Sequence, residues 1–562
     1  MIKIEQLTFS YHQSQEPILK NISLKIEKGE FVLITGPSGG GKTTLVRTFN
    51  GLIPHFYGGK ISGKINIQEL NVFKNETREI AKKVGFVFQN PDNQLFMNEV
   101  ESEIAFGLEN LNLPLNTIKK RVEETLDSIG IAYLRKRNIS NLSGGEKQKV
   151  AIASVLAMNP DIIVLDEPTA ELDPKSAEET LMLIQKLNDE LGITIILIEH
   201  RLDRVIQFVD RIIIIENGKI LRDGHPREVF KEDLSDVGIT IPPIIKLSNQ
   251  LESKNIPLTV KESRSILEKV LNNVSLSPSL INSYNLQYKD YFEKFEKVKP
   301  IMKLQKVSFG YEKNKKILQN INLKMYKGEF VAIMGRNGSG KTTLLKLING
   351  LLRPGKGSVL IDDIDIRKNS VAQLAKKVGY VFQNPANQFY QDTVEEEIAY
   401  ILKNLKYDQE EIERLVNATM SQFGLLKYKD IYPRYLSVGE QQKVALASIL
   451  ITQPKILLLD EPTHGMDYRQ KTIFFSYLDE YRKKGHLVIL VTHDVESIAE
   501  YSDRVILLSE GKIVVDDIKK NVLSNALLFS PQINRLVQGF KSLPQNILNF
   551  NELIEVLKAE KK

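Results

Sequence analysis

Two stretches of the sequence, GPSGGGKTT at Gly36–Thr44 and GRNGSGKTT at Gly335–Thr343, decide the fold. Both fit the pattern G-x-x-x-x-G-K-[ST], in which glycines let backbone N–H groups surround a phosphate, the lysine contacts the β- and γ-phosphates, and the hydroxyl binds Mg²⁺. Each stretch follows a short apolar run and precedes a segment with a helical pattern. A strand, a glycine loop and a helix in that order direct a helix N-terminus at an anion, so the sequence predicts two phosphate-binding sites.

The composition predicts a globular protein of several domains. The chain has 562 residues, of which 42% are hydrophobic and 26% charged. Its formal net charge of +6 is too small for this length to indicate a nucleic-acid partner. Cysteine is absent, which excludes disulfides and thiolate metal sites. We find no secretory signal at the N-terminus and no apolar run near the ~20 residues needed to cross a bilayer, so we expect no membrane span.

The chain contains an internal repeat. Its halves align over most of their length, with an offset of 300 residues between Tyr11 and Tyr311 that falls to 293 between His200 and His493. Each half alternates β-type runs with helical segments, as α/β layers do. The sequence therefore predicts the α/β class, with two P-loop NTPase domains in tandem.

The predicted domain boundaries follow this repeat. A loosely matched segment begins at Pro242 in the first half and at Ser530 in the second, and we interpret each copy as a small helical appendage. The stretch between the halves loses clear periodicity, which favours a linker, although its aromatic residues leave a further packed domain open. We predict a first nucleotide-binding domain at 1–230, its appendage at 231–270, a linker at 271–300, a second domain at 301–520 and its appendage at 521–562.

In each half, an apolar run typical of a buried strand is followed by Asp-Glu-Pro-Thr. This places two carboxylates at the C-terminal edge of a strand, where α/β sheets bind ligands. Mg²⁺ prefers oxygen ligands and usually keeps some of its waters, so Asp166 and Asp460 are candidate magnesium ligands. Glu167 and Glu461 follow them and are candidates to polarise an attacking water. An isolated Asp-Glu is more often a solvated turn, but here each copy accompanies a phosphate loop.

A histidine follows another β-type run in each half, at His200 and His493. A single histidine at a strand end is usually a surface or capping residue. Its repetition at the same distance beyond Asp-Glu favours a contact with the γ-phosphate of a nucleotide. The seven histidines lack the spacing of zinc ligands, so we expect no zinc site.

With these motifs in place, both halves resemble ATP-binding cassette (ABC) ATPases over nearly the whole chain apart from the linker and appendages. The discriminating segment is LSGGE at Leu142–Glu146, which is similar to the signature loop of that family; the second half has LSVGE at Leu436–Glu440. The resemblance implies a small helical subdomain in each half and a D-loop at Asp173 and Asp467.

The resemblance also implies roles for individual residues. Residues implied to contact ATP are Tyr11, Gly36, Ser38, Gly39, Gly41, Lys42, Thr43, Thr44, Ser143, Gly144 and Gly145, with Tyr311, Gly335, Asn337, Gly338, Gly340, Lys341, Thr342, Thr343, Ser437 and Gly439 in the second half. Residues implied to hold Mg²⁺ are Thr43, Gln89, Asp166, Thr342, Gln383 and Asp460. Residues implied to act in catalysis are Glu167, Glu461, His200, His493, Gln89 and Gln383.

In such ATPases each ATP is gripped by the phosphate loop of one half and the signature loop of the other, so we expect the two halves to form an intramolecular dimer. The two sites are then unequal, because Val438 stands where the first signature has a glycine. A β-branched residue does not readily adopt positive φ, which predicts a slower site where this loop meets Lys42. An ordinary φ at Val438 is the alternative.

Within the family, the segments QNPDNQLF from Gln89 and QNPANQFY from Gln383 are similar to those of energy-coupling factor importers, which bring in vitamins or transition-metal ions. The tandem type is associated with hydroxymethylpyrimidine or thiamine uptake. The resemblance implies an ATP-hydrolysing subunit that works with a transmembrane subunit and a substrate-binding membrane subunit. It implies a peripheral position on the cytoplasmic face of the cell membrane and no nucleic-acid partner.

Two other classes of tandem ATPase are alternatives. A soluble ATPase acting on the ribosome would carry a long basic connector, but residues 231–300 contain 10 Lys and Arg against 9 Asp and Glu. A chromosome or DNA-repair ATPase would need a coiled coil or a zinc module within one half, and neither heptads nor cysteines are present. The sequence favours the importer.

Overall fold

The computed structural model describes residues 1–12, 16–232, 234–272, 291–295, 297–312, 316–463, 465–524 and 526–558. It divides into two compact units, Met1–Thr259 and Val260–Lys562. The division between them falls inside the range 231–270 predicted as the first appendage. Most of the linker predicted at 271–300 lies outside the described residues.

Two sheets build the first unit. Its strands are β1 Ile2–Tyr11, β2 Leu19–Ile26, β3 Phe31–Thr35, β4 Gly59–Ile67, β5 Leu70–Asn71, β6 Val84–Val87, β7 Ile162–Asp166, β8 Thr194–Ile198, β9 Arg211–Glu216 and β10 Lys219–Gly224. The order β2-β1-β4-β5 forms an antiparallel sheet. The order β10-β9-β3-β8-β7-β6 forms a second sheet, parallel except for β10. Strands β3, β7 and β8 are buried at every residue, as continuous apolar strands of a covered parallel sheet are.

The helices of the first unit surround this parallel sheet. They are α1 Lys42–Phe49, α2 Leu52–His55, α3 Thr77–Ala81, α4 Val100–Asn110, α5 Leu115–Ile129, α6 Gly144–Ala157, α7 Pro174–Leu191, α8 Leu202–Val205, α9 Pro226–Val229 and α10 Pro243–Gln250. Helices α4, α5 and α6 contact one another and form the small helical subdomain that the resemblance implies.

The second unit repeats this plan. Its strands are β11 Met302–Phe309, β12 Leu318–Met325, β13 Phe330–Met334, β14 Lys356–Ile361, β15 Ile364–Asp365, β16 Val378–Val381, β17 Ile456–Asp460, β18 Leu487–Val491, β19 Arg504–Ser509 and β20 Lys512–Ile518. The orders β12-β11-β14-β15 and β16-β17-β18-β13-β19-β20 match those of the first unit. Its helices are α11 Val260–Leu271, α12 Lys341–Ile348, α13 Val371–Ala375, α14 Val394–Asn404, α15 Gln409–Phe423, α16 Val438–Leu450, α17 Tyr468–Lys483, α18 Val495–Tyr501, α19 Lys519–Leu523, α20 Gln532–Val537 and α21 Phe550–Lys558.

Alternate residues of the parallel strands supply two separate cores, because successive side chains of a strand point to opposite faces. In the second unit, Ile456 and Leu458 pack with the antiparallel sheet and α12. Leu457 and Leu459 pack with helices α14 to α17. The sheet therefore lies between two apolar layers, and the prediction of tandem α/β P-loop domains is confirmed.

Helix α11 follows the first half in sequence but packs in the second unit. The Arg264 guanidinium donates to the carbonyl of Leu536 at 3.4 Å and to that of Arg535 at 2.5 Å. These carbonyls lie near the C-terminal end of α20, where a cation is favourable. The helix that the repeat assigns to the first appendage thus caps a helix of the second.

Within the described part of the chain, no helix combines the length and apolar character that a bilayer crossing requires.

Candidate functional site

Each phosphate loop lies tightly against the neighbouring strand. Gly36 has φ +145°, and a Cβ on it would lie 2.0 Å from the carbonyl oxygen of Ile215. Gly335 has φ +151°, and its Cβ would lie 2.1 Å from the carbonyl oxygen of Leu508. No larger residue fits at either position, so the first glycine of each motif is a steric requirement.

The lysine of each loop is buried and turned back onto the loop. Lys42 Nζ donates to the carbonyls of Gly36 at 2.9 Å and Pro37 at 2.8 Å. Lys341 makes the equivalent bonds at 2.9 and 3.0 Å. The buried Ser339 hydroxyl in the second loop has no hydrogen-bond partner among the described residues. A buried cation, a hydroxyl in need of a partner and a helix N-terminus together fit an anion such as a phosphate.

Oxygen donors for a cation lie next to the first loop. The Thr43 hydroxyl donates to Asp166 Oδ1 at 3.3 Å, and Asp166 is 5% exposed. Burial, together with the negative charge of Glu167, raises the pKa of Asp166 to about 6. A hydroxyl and a carboxylate whose charge needs compensation form the kind of hard donor set that Mg²⁺ takes. When bound there, the ion would neutralise part of the phosphate charge.

The predicted catalytic side chains of the first half meet at one carboxylate. Gln89 Nε2 donates to Glu167 Oε2 at 3.0 Å. His200 Nε2 lies 3.1 Å from Glu167 Oε1. The carboxylate is thus held on both oxygens, in a position to orient a water molecule.

The second half reproduces this arrangement in part. His493 Nε2 lies 2.8 Å from Glu461 Oε1 and 3.0 Å from Asn337 Oδ1 in the phosphate loop. Gln383 is exposed, whereas Gln89 reaches the glutamate in the first half. Burial raises the pKa of Asp460, opposed by a hydrogen bond from Thr342.

Sequence reasoning missed one hydrogen-bond partner of Asp460 in the second half. The Tyr380 hydroxyl donates to Asp460 Oδ2 at 3.2 Å, and the equivalent residue in the first half is Phe86. A tyrosine within the otherwise apolar run of β16 was the available signal. The Tyr380 hydroxyl thus gives Asp460 a hydrogen-bond partner that Phe86 cannot give Asp166.

Both glutamates predicted to act in catalysis lie in left-handed backbone. Glu167 has φ +49° and Glu461 has φ +48°, although both are non-glycine residues. Their backbone N–H groups donate to Ile198 at 3.0 Å and Val491 at 2.9 Å, which fixes the chain at the end of the neighbouring strand. Positive φ is uncommon for glutamate and costs free energy, but it also recurs at other equivalent positions of the repeat, such as Gln6 and Lys306.

Tyr11 and Tyr311, which the resemblance matches to an aromatic residue that stacks on adenine, lie beside the phosphate-loop helices. The Tyr11 hydroxyl is 3.3 Å from Thr44 Oγ1, and the Tyr311 hydroxyl is 3.4 Å from Thr343 Oγ1. Tyr311 is 61% exposed, which leaves ring surface for a ligand. Their contact with adenine remains a prediction.

The signature loops begin helices. Ser143 and Ser437 are N-caps of α6 and α16, and each forms a capping box with the glutamate three residues later. Val438 is the first residue of α16, and neither it nor Gly144 has positive φ. The expectation that this position needs the positive φ of a glycine is therefore wrong. The D-loop residue Asp173 likewise caps α7.

The sequence matches the ABC transporter family over residues 19–170 and 318–464. The chain belongs to the ABC transporter ATPase family. A relative from Methanosarcina mazei, named provisionally as an ABC transporter ATP-binding protein, is 40% identical over 530 residues, covering 92% of this chain and 88% of that protein. A relative of the same description from Caldanaerobacter subterraneus is 37% identical over 520 residues, covering 91% and 90%. CbiO1 of Clostridium perfringens, described as part of the ABC transporter complex cbiONQ, is 36% identical, with a TM-score of 0.39 over 45% of this chain and 95% of its own.

As an ABC ATPase, the chain binds and hydrolyses ATP. Positioning and charge stabilisation supply most of the catalysis of phosphoryl transfer, with little covalent chemistry by the protein. The buried lysine, the carboxylate cluster and the glutamate held by Gln89 and His200 are suited to those tasks.

Proposed function

We propose that this ABC ATPase powers a membrane importer of the energy-coupling factor type, which takes up a vitamin or a transition-metal ion. The observation that carries the proposal is an aromatic surface repeated in both halves. It lies beside the segment that begins at Gln89 or Gln383, which we call the glutamine loop. In the first half it consists of Phe96 and Phe106, with ring centroids 6.5 Å apart. In the second it consists of Tyr390 and Tyr400, 6.1 Å apart. We call each of these an aromatic pair.

The leading member of each aromatic pair points into solvent. Phe96 and Tyr390 are each 73% exposed. Single exposed aromatic residues need no explanation, but the same exposure at equivalent positions of a repeat indicates a recognised surface. Aromatic side chains supply large contact area at protein interfaces, so a helix of a transmembrane subunit is the partner we propose for each pair.

A buried glutamate fixes the backbone under each pair. Glu103 Oε2 accepts from the N–H groups of Phe96 at 2.8 Å and Met97 at 2.7 Å. Glu397 Oε2 accepts from Tyr390 at 2.7 Å and Gln391 at 2.9 Å. Both glutamates are nearly fully buried. A rigid platform of this kind suits transmission of a movement from the glutamine loop to a docked partner.

We also propose that Mg²⁺ accompanies the nucleotide, and that each ATP is completed by the signature loop of the other half. ATP would then join the halves and hydrolysis would release them. The separately expressed halves test this, because neither is expected to hydrolyse ATP at the full rate as a monomer.

The experiment for the importer proposal is purification of the tagged full-length chain from detergent-solubilised membranes of its native cell, with mass spectrometry of what accompanies it. We expect a small multi-span membrane protein. Phe96→Ala combined with Tyr390→Ala should remove that protein from the preparation. The matched control is Tyr133→Ala, because Tyr133 is 65% exposed but lies outside both aromatic pairs.

Equal recovery of the membrane protein with both variants would overturn the docking surface. Ribosomal proteins in place of a membrane protein would favour the translation ATPase instead. Thermal melting of each variant separates lost docking from lost folding.

A further inference from the structure

A buried carboxylate lies beside His200, which we call the switch histidine of the first half. Glu199 precedes His200 at the end of β8 and is 4% exposed. The residue at this place in the second half is Thr492, before His493. The repeat thus supplies an internal comparison between a site with this carboxylate and a site without it.

Glu199 holds the turn that follows the catalytic glutamate. Its Oε1 accepts from the Thr169 hydroxyl at 2.6 Å and from the Thr169 N–H at 3.1 Å. Thr169 is two residues beyond Glu167 and is 2% exposed, so both bonds are shielded from water. Hydrogen bonds in such surroundings are electrostatically stronger than bonds exposed to water.

Glu199 is also connected to the start of the phosphate loop. Its carbonyl oxygen accepts from the Thr35 hydroxyl at 3.0 Å, and Thr35 immediately precedes Gly36. One residue therefore links the phosphate loop, the turn after Glu167 and the switch histidine. We call Thr35, Thr169 and Glu199 the three-loop link.

The second half has lost two members of this link together. Met334 takes the place of Thr35, and its side chain packs in an apolar cluster. Thr492 takes the place of Glu199, and its hydroxyl accepts from the Asp494 N–H at 3.1 Å. The counterpart of Thr169, Thr463, is retained. Thr492 still offers a backbone carbonyl, so what the second half lacks is the Thr35 hydroxyl and the Glu199 carboxylate.

We propose that Glu199 is a positioning residue specific to the first ATP site, which holds the turn carrying Glu167 in the geometry needed for hydrolysis. The second site positions Glu461 without this link. The proposal rests on the ATPase activity of the chain and is independent of the importer assignment.

The test compares three variants of the full-length chain by steady-state ATP hydrolysis. Glu199→Ala removes both bonds to Thr169, and we expect kcat to fall about twofold or more while KM for ATP changes less than about twofold. Twofold is the loss if two independent sites contribute equally and the first is silenced, and coupled sites give a larger one. Glu199→Gln should retain kcat, because its single amide oxygen can accept both bonds. The matched control, Thr492→Ala, should leave kcat nearly unchanged.

Hydrogen exchange supplies the second readout, which does not depend on turnover. The amide of Thr169 should exchange about tenfold faster or more in Glu199→Ala, with no change at Thr463. A purely structural role would lower the melting temperature of Glu199→Ala and leave the kcat of the folded enzyme unchanged. Equal kcat for Glu199→Ala and Thr492→Ala, or equal losses for Glu199→Ala and Glu199→Gln, would overturn the proposal.

Discussion

Replacing Glu103 by alanine tests whether the platform under Phe96 is held by a single buried carboxylate. The change deletes both bonds to Glu103 Oε2, from the N–H groups of Phe96 and Met97. A hydrogen bond to a charged group contributes about 1.5–3 kcal/mol, so two of them set an upper bound of about 6 kcal/mol. Phe96 itself is 73% exposed, so water can reach the freed N–H groups after a small movement. We therefore expect about 2 kcal/mol of local stability to be lost.

Hydrogen exchange of these two amides is the direct assay, because it reports local opening free energy. A loss of about 2 kcal/mol corresponds to exchange that is about 30-fold faster. Glu103→Gln should restore most of the protection, since both bonds end on one oxygen atom. Glu101→Ala is the matched control on the same helix, as Glu101 lies on its surface, 3.7 Å from Arg135.

Equal protection of both amides in Glu103→Ala and Glu101→Ala would contradict this prediction. Glutamine no better than alanine at position 103 would also contradict it, because the carboxylate would then act by charge alone. A global loss of folding would instead accelerate exchange throughout the first unit.

Three further predictions concern groups outside this platform. Burial raises the pKa of Glu199 above its ordinary 4.5. The contribution of this group to stability is therefore complete below pH 4.5 and is lost as pH rises through the raised value. Thermal melts from pH 4 to 8 should show Glu199→Gln gaining stability over the wild type as pH increases. Glu329→Ala should lower the free energy of unfolding of the second unit, measured in urea, by about 3–5 kcal/mol, because Glu329 is fully buried beside Arg504. The equivalent Glu30 has 19% of its side chain exposed, so Glu30→Ala should lower that of the first unit by only about 1 kcal/mol. Gly335→Ala should abolish nucleotide binding at one of two sites, since its Cβ would lie 2.1 Å from a carbonyl oxygen. Titrations with a fluorescent ATP analogue should then show half the stoichiometry, and an unchanged stoichiometry would contradict this.

The phosphate loops and the repeated fold were predictable, because they depend on local patterns. Glycine spacing, apolar strand runs and the Asp-Glu-Pro-Thr motif each fix the conformation of a few neighbouring residues. The same local view led to the wrong expectation that the position of Val438 needs positive φ, while a slower site there stays a prediction. The glycine at that position in the first half looked like a positive-φ residue, but the preceding serine caps a helix there and makes the position helical.

The remaining features depend on contacts between distant parts of the chain. Glu199 and Thr169 are thirty residues apart, and the sequence carries no sign that one accepts from the other. Helix α11 was assigned to the first half by the repeat, yet Arg264 meets carbonyls more than 270 positions further along. Neither contact has a period or a motif that sequence reasoning can use.

The left-handed backbone at Glu167 and Glu461 has a consequence for directed evolution. Glycine and asparagine occupy such a conformation at lower free energy than glutamate does. In a library screened only for heat resistance, we therefore expect these two codons to change, along with those of other non-glycine residues at positive φ such as Gln6. Because Glu167 and Glu461 are the predicted catalytic residues, we expect the survivors to lose turnover. Any screen for a hardier form of this ATPase has to reward turnover at every round.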